Sequence, residues 1–320
     1  MMRRTAIEAV QRGIQALAAN WPLILVHLLQ TFVVSILFVA GAVPFVLVVG
    51  VASLRRLFES SRGGAADPLQ VMDQAMAGLA DSIGPLLLAT LVALFVWTIA
   101  VVVYSYFQAG VFGVLASADA RAVAPAPSRK DYSVFDLQVF RRAADRGLWT
   151  FFWLVNLFML IGSAVLLALM LVVLLAAGLF AREWSMAAVS LGCLGGSAAL
   201  VLAVATALWW QLAMASAASG RETVRQAMAT SWRILVRRAG AVFVLALLAF
   251  VIGLTDAIAL APLSLLVELA LGESLTAYIG SQIVISIVQS VFSAVISVGL
   301  AGVFVALVRG EIGGGEAPIG

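Results

Sequence analysis

The stretch VFVLALLAFVIGLTDAIALAPLSLLVELAL, Val242 to Leu271, decides the class of this chain. It is a run of apolar residues with a carboxylate at Asp256, a proline at Pro262 and a second carboxylate near its end at Glu268. A helix needs about 20 such residues to cross roughly 30 Å of hydrocarbon, and the run exceeds that length. Five more runs of this kind flank it, so spans are read at about 22–53, 86–116, 150–180, 187–218, 241–271 and 283–308. The expected fold is all-α: a polytopic membrane helical bundle of six transmembrane helices with amphipathic interfacial helices. A single integral domain covers 1–310, and 311–320 is read as a flexible tail.

Composition supports this. Hydrophobic residues make up 63% of the chain and charged residues 11%, with a mean hydropathy of +1.11. An average soluble domain has about a quarter of its residues charged, so lipid is the main solvent here. Six spans and their connectors use nearly all 320 residues, which leaves no room for a separate soluble catalytic domain. Cys193 is the only cysteine and His27 the only histidine, which excludes an intrachain disulfide and a His/Cys metal cluster. There is no phosphate-binding glycine loop, nucleophile motif or catalytic carboxylate pair. No cofactor is expected, and an enzyme is the less favoured class. The first apolar run, Trp21 to Leu54, is too long for a signal-peptide core and is expected to remain in the protein.

Amphipathic segments precede the odd-numbered spans. In Met1 to Asn20, Ile7, Val10, Ile14 and Leu17 recur at helical spacing while Arg3, Arg4, Glu8 and Arg12 mostly fall on other faces, as in a helix lying on a membrane surface. Gly41 and Pro44 are expected to interrupt the first span, with the chain bending along the outer surface beyond them. A second surface helix is expected after Asp67 and Pro68, with Leu69, Met72, Met76, Leu79 and Ile83 on one face. Val134 to Trp149 and Gly220 to Arg238 are read as further basic helical segments. The turn Ala181 to Met186 forces spans three and four into an antiparallel hairpin, and Gly192 with Gly196 offers a small-residue pair for close helix packing.

Fifteen of the nineteen Lys and Arg residues fall in the N-terminal segment, the second and fourth connectors and the tail. By the positive-inside rule both termini face the cytoplasm. Heavy Arg, Ala and Gly usage suggests a GC-rich bacterial genome, and hence the inner membrane. The same arginines account for the basic charge by topology, so nucleic acid is not an expected partner. Membrane lipids, anionic ones included, are expected partners, together with a membrane-protein partner or a second copy of the chain.

Shifting the chain against itself by 218 positions aligns Thr5 with Thr223 and Pro44 with Pro262. Tyr106, Phe107 and Gln108 correspond, at another offset, to Trp209, Trp210 and Gln211. The layout is that of three units, each a surface helix followed by a transmembrane hairpin; alternation in any six-span protein with basic loops gives a similar pattern. With Ala227, Trp232 and Leu235 in Glu222 to Arg238, and the small-residue stretch Ala109 to Ala118, it resembles bacterial six-helix membrane proteins with interfacial helices before paired spans. The membrane domain fused to some glycerophosphodiester phosphodiesterases is of this type. The resemblance carries over no functional residues, and the phosphodiesterase domain itself is absent.

Two polar groups are candidate sites. A carboxylate within an apolar span is costly, so Asp256, with Gln282, Ser286 and Gln289 of the sixth span, is a candidate solute or proton site. The alternative is that Asp256 fixes helix packing or lies at the interface. His27, Gln108, Asn156 and Gln211 form a candidate inner polar layer, either lining a cavity or joining neighbouring helices. The favoured function is non-enzymatic: membrane organisation, lipid interaction or support of a partner complex. The alternative is a small transporter or channel subunit that uses Asp256 and the sixth-span stripe.

Overall fold

The computed structural model describes residues 4–62, 83–122, 127–180, 185–220, 222–252, 254 and 275–312. Nearly all of these are helical, with no strand among them. The helices are α1 (Ala6–Ala19), α2 (Pro22–Arg62), α3 (Ile83–Arg121), α4 (Leu137–Phe180), α5 (Ser185–Gly220), α6 (Val224–Arg237), α7 (Ala239–Ile252) and α8 (Leu275–Ile312). Among the described residues a 3-10 turn, Arg129–Tyr132, lies between α3 and α4. Pro22–Val48, Ile83–Arg121, Leu137–Phe180, Val189–Gly220 and Gln282–Ile312 are each long and apolar enough to cross a membrane. The pair α6 and α7, bent by 91° at their junction, makes a sixth if counted together. This is a multi-pass membrane protein. Large apolar side chains such as Leu166, Leu174, Leu200 and Val201 are exposed along α4 and α5, where lipid is their solvent.

The described part of the expected fifth span is α7; Asp256, Pro262 and Glu268 lie outside the described residues, as does the helix expected after Asp67. The third span and the amphipathic segment before it are one helix of 44 residues. At 1.5 Å per residue α4 is about 66 Å long, twice the hydrocarbon thickness, so its charged first turns, with Arg141, Arg142, Asp145 and Arg146, extend past the apolar layer. The chain divides into two compact units, residues 29–104 and residues 1–28 with 105–320.

In the first unit, the expected interruption at Gly41 and Pro44 does not occur, because α2 runs through both. Proline removes one N–H, but a helix among apolar neighbours has no water competing for its remaining backbone bonds, so the break is not forced. Gly41 lies against the Val96 side chain, and Phe38 meets Trp97 edge to face at 5.0 Å.

In the second unit, three helical segments are seated in one manner. Each sets a buried face that includes small residues on the end of a returning span. For α1 the buried residues are Ala9, Gly13 and Ala16, and Gly13 meets the backbone of α8 at Gly302 and Val303. At the start of α4, Phe140, Ala143 and Gly147 lie on Gly110, Gly113 and Ala109 of α3. For α6 the buried residues are Ala227, Ser231 and Ile234, and the Trp209 indole of α5 donates to the Ser231 hydroxyl at 3.0 Å. The receiving span ends are buried runs: Val111 to Ala118 with few gaps in α3, Leu212 to Ala217 in α5 and Val303 to Val308 in α8.

Helices α1 and α6 coincide residue for residue at a displacement of 218. Both have 14 residues; Thr5 and Thr223 cap them, their N–H groups donating to Glu8 and Gln226. Ala9, Gly13 and Ala16 take the places of Ala227, Ser231 and Ile234. Such a box satisfies backbone donors that a helix start otherwise leaves unpaired.

Helices α4 and α5 pack as the expected antiparallel hairpin: Gly195 sits against Val172 and, further along, Phe158 against Trp209 and Trp210. Gly195 makes the close approach, whereas Gly192 and Gly196 have nothing within 4 Å of an added β-carbon. Cys193 on the same turn is exposed.

Candidate functional site

The best-defined polar site is a carboxylate just past the expected end of the second span. Helix α3 continues five residues, more than one turn, beyond the expected end of its span and carries Asp119 inward, its side chain only 3% exposed. Three guanidinium groups surround it. Arg4, just ahead of α1, places Nη1 2.7 Å from Asp119 Oδ2; Arg12 of α1 places Nη1 3.3 Å from Oδ1; Arg309, near the end of α8, places Nε 3.2 Å from Oδ2. Arg4 also donates to the Ala306 carbonyl at 2.8 Å, and Arg12 to the Ala122 carbonyl at 3.0 Å. The arginine stem of Arg4 lies across Gly310, whose missing side chain makes that passage possible. Next to it Arg238 pairs with Glu311, and its Nη1 reaches the Arg4 carbonyl at 3.5 Å.

The cluster is built by the seating of α1 on α8. Gly13 brings the two backbones together, and the side chains on either side of that contact, Arg4, Arg12 and Arg309, are then carried toward the end of α3. Tyr132 faces the same charges. It is fully buried, its hydroxyl lies in the field of Arg12, Asp119, Arg4 and Asp131, and burial raises its pKa above the ordinary value. That hydroxyl has no hydrogen-bond partner in the structure.

The chain matches no family model, no curated protein and no solved structure.

A neutral polar junction fixes the loop that carries Tyr132. Asn20, fully buried at the end of α1, donates from Nδ2 to the carbonyls of Ala16 and Tyr132, both at 2.8 Å. Its Oδ1 accepts from the N–H groups of Val134 at 3.0 Å and Phe135 at 2.8 Å. Arg129 adds a bond to the Ala18 carbonyl at 2.6 Å. One asparagine thus uses its whole amide to hold the α3–α4 connection against the corner between α1 and α2.

A second carboxylate, Glu222, precedes α6. Thr230 donates to its Oε1 at 3.0 Å. Burial raises its pKa, and the Thr230 bond and the Arg233 charge oppose that shift.

Of the residues expected to form an outer site, Asp256 lies outside the described residues, Gln282 is partly exposed, and Ser286 and Gln289 are exposed on α8. Of the expected inner layer, Gln108 is buried in α3, while His27 and Gln211 are partly exposed. Asn156 donates to the Phe152 carbonyl of its own helix at 2.8 Å. Trp209 and Trp210 belong to an aromatic group: Trp209 meets Phe158 and Trp232 edge to face at 5.3 and 5.1 Å, and Trp210 stacks on Phe158 at 6.0 Å. Trp149 and Trp153 are exposed. Among the described residues no group of three or more His, Cys, Asp and Glu side chains is placed to hold a metal ion.

Proposed function

We propose that this chain is a non-enzymatic integral protein of the inner membrane, both termini cytoplasmic, whose interfacial helices engage lipid and so organise the membrane or support a partner complex. The observation that carries this reading is the division of labour on α1 and α6. Each turns its small residues toward the protein and leaves large apolar residues outside: Ile7 (69% exposed) and Ile14 on α1, Trp232 and Val236 on α6. In water such a display would be a liability; at the boundary between headgroups and acyl chains it is an anchor. The 91° turn from α6 into α7 supports the same placement, since a helix lying in the membrane plane must turn through about a right angle to become a span.

The test is depth. With Cys193 replaced by serine, Ile7→Cys and Trp232→Cys variants are labelled with a polarity-sensitive fluorophore and reconstituted in nanodiscs. Blue-shifted emission, quenched by lipids brominated near the headgroup, is expected at both positions. Emission matching a water-exposed adduct at both positions would remove the basis for the reading.

A further inference from the structure

The three seatings follow one rule of succession. In chain order the helices make three modules, α1 to α3, α4 with α5, and α6 to α8, each opening with a leading segment and closing with a returning span. The leading segment of the second module, the start of α4, lies on the returning span of the first, where Phe140 and Ala143 meet Gly110 and Gly113. That of the third, α6, lies on the returning span of the second, where the Trp209 indole meets the Ser231 hydroxyl and the Trp232 ring. Helix α1 leads the first module and has no module before it. It lies on the returning span of the third, where Gly13 meets Gly302 and Val303. All three joints fall within residues 1–28 and 105–320, one compact unit.

We propose that these seatings form a closed cycle of three equivalent modules, and that α1 is the clasp that closes it. Two of the joints are made between neighbours in sequence: α6 begins at Val224 just after α5 ends at Gly220, and α4 begins at Leu137 after α3 ends at Arg121. Their connections hold the two sides together at high effective concentration. The third joint must bring together groups as distant as Arg4 and the Ala306 carbonyl, 302 residues apart. It is also the joint where Arg4, Arg12 and Arg309 gather on the buried Asp119, whereas the Phe140 and Trp209 contacts are neutral. A face of small residues can slide by a turn on another, and a buried ionic group with one fitting arrangement fixes the register. The ion pairs thus stand at the joint whose register no short connection sets. Helix α1 continues into a span only at its far end, past Asn20, so this joint can open while every span stays in place. The cycle concerns how the leading segments are held and is independent of the lipid-engaging function; either can fail alone.

Circular permutation tests the cycle on the full chain. The old ends already adjoin, the Arg4 β-carbon lying 3.0 Å from the place of a β-carbon on Gly310, so residues 313–320 and 1–3 serve as the join. One permutant starts at Glu222 and ends at Arg221; another starts at Pro125 and ends at Ala124. Each opening follows an even number of spans, so the new ends stay on the side that the old ones held. Limited proteolysis in mild detergent is the readout. In the wild type α1 should be cut before α6; in the Glu222 permutant α6 becomes the clasp and should be cut first, with α1 cut several-fold more slowly than before. Asp119→Asn separates a clasp from a merely frayed end. It should speed the cutting of α1 several-fold in the wild type and hardly at all in the Glu222 permutant, where the join now sets the register of α1. The cycle predicts the shifted first cut in every permutant that is recovered monodisperse. A recovered permutant in which α1 is still cut first overturns it, as does equal acceleration by Asp119→Asn in both backgrounds, and as does recovery of neither permutant.

Discussion

Gly13 of α1 and Val303 of α8 approach until no side chain fits between their backbones: a β-carbon on Gly13 would lie 2.6 Å from the Val303 nitrogen. The obstacle is main chain, which cannot rotate aside. Gly13→Ala should therefore force α1 off its seat and destabilise the protein by about 2–3 kcal/mol. The same substitution at Gly192, where an added β-carbon meets nothing, should stay within about 0.5 kcal/mol. Thermal or denaturant unfolding of both variants in the same detergent checks the contrast.

Removing the charge of Asp119 leaves three arginines facing one another. Breaking a buried ionic group by deleting one partner costs about 3–5 kcal/mol, and Asp119→Asn is expected at the lower end because its amide oxygen still accepts a bond. Loss of the α1 contact should appear first, as protease cleavage within residues 6–19 before any cleavage in the spans. Equal protection of wild type and variant would show that the arginines are held by something else.

Asn20→Ala strips four hydrogen bonds at once and leaves the backbone groups of Tyr132, Val134 and Phe135 to find other partners. A loss of about 3 kcal/mol is expected, with faster amide exchange at Val134 and Phe135. Exchange that is faster only within α1 would contradict the proposed coupling of the two segments.

Glu222 gives the protein a pH dependence of known sign. Burial raises its pKa in the folded chain above its unfolded value, so its contribution to stability is present in acid and is lost as pH rises through the folded value. Glu222→Gln keeps an acceptor for the Thr230 hydroxyl and removes the charge. The variant should match wild type near pH 4 and exceed it near pH 7, the margin growing as pH rises from the unfolded value to the folded one and levelling off above it. Midpoints measured across this interval that move in parallel for the two proteins would refute the assignment.

Orientation is open to direct labelling in a background lacking Cys193. Lys130→Cys, in the exposed turn before α4, should react with a membrane-impermeant maleimide only from the cytoplasmic side, and Ser60→Cys only from the other. The reverse pattern inverts the topology.

The helices were legible in the sequence, and so was the surface position of α1, because Ile7, Val10, Ile14 and Leu17 repeat at the helical period. The other face of α1 was not. Ala9, Gly13 and Ala16 add almost nothing to a hydropathy pattern, yet they are the residues that meet the protein. Close packing is written in small side chains, which leave a weak trace in composition and a strong one in geometry. The small-residue stretch Ala109 to Ala118 was visible, but its meaning as a seat for Phe140 and Ala143 needed the fold.

The arginine cluster shows a different limit. Arg4, Arg12 and Arg309 count in the sequence as topogenic charges, which they can also be, and Asp119 falls beyond the expected end of the second span at 116. Nothing local ties Arg4 to a carbonyl 302 residues away. The polar stripe of the sixth span is the converse case: Ser286 and Gln289 do share a helix face, but that face is exposed among the described residues. Periodicity reveals which residues travel together and is silent on what they meet.

The docking of the first helix on the last span also sets an order of events. During synthesis α1 reaches the membrane long before Gly302 and Arg309 exist, and until then its glycine face and its two arginines have no seat. The bundle therefore reports its own completion: a chain halted anywhere before residue 302 leaves α1 undocked, and α1 and α8 can lock together only after α8 has been made.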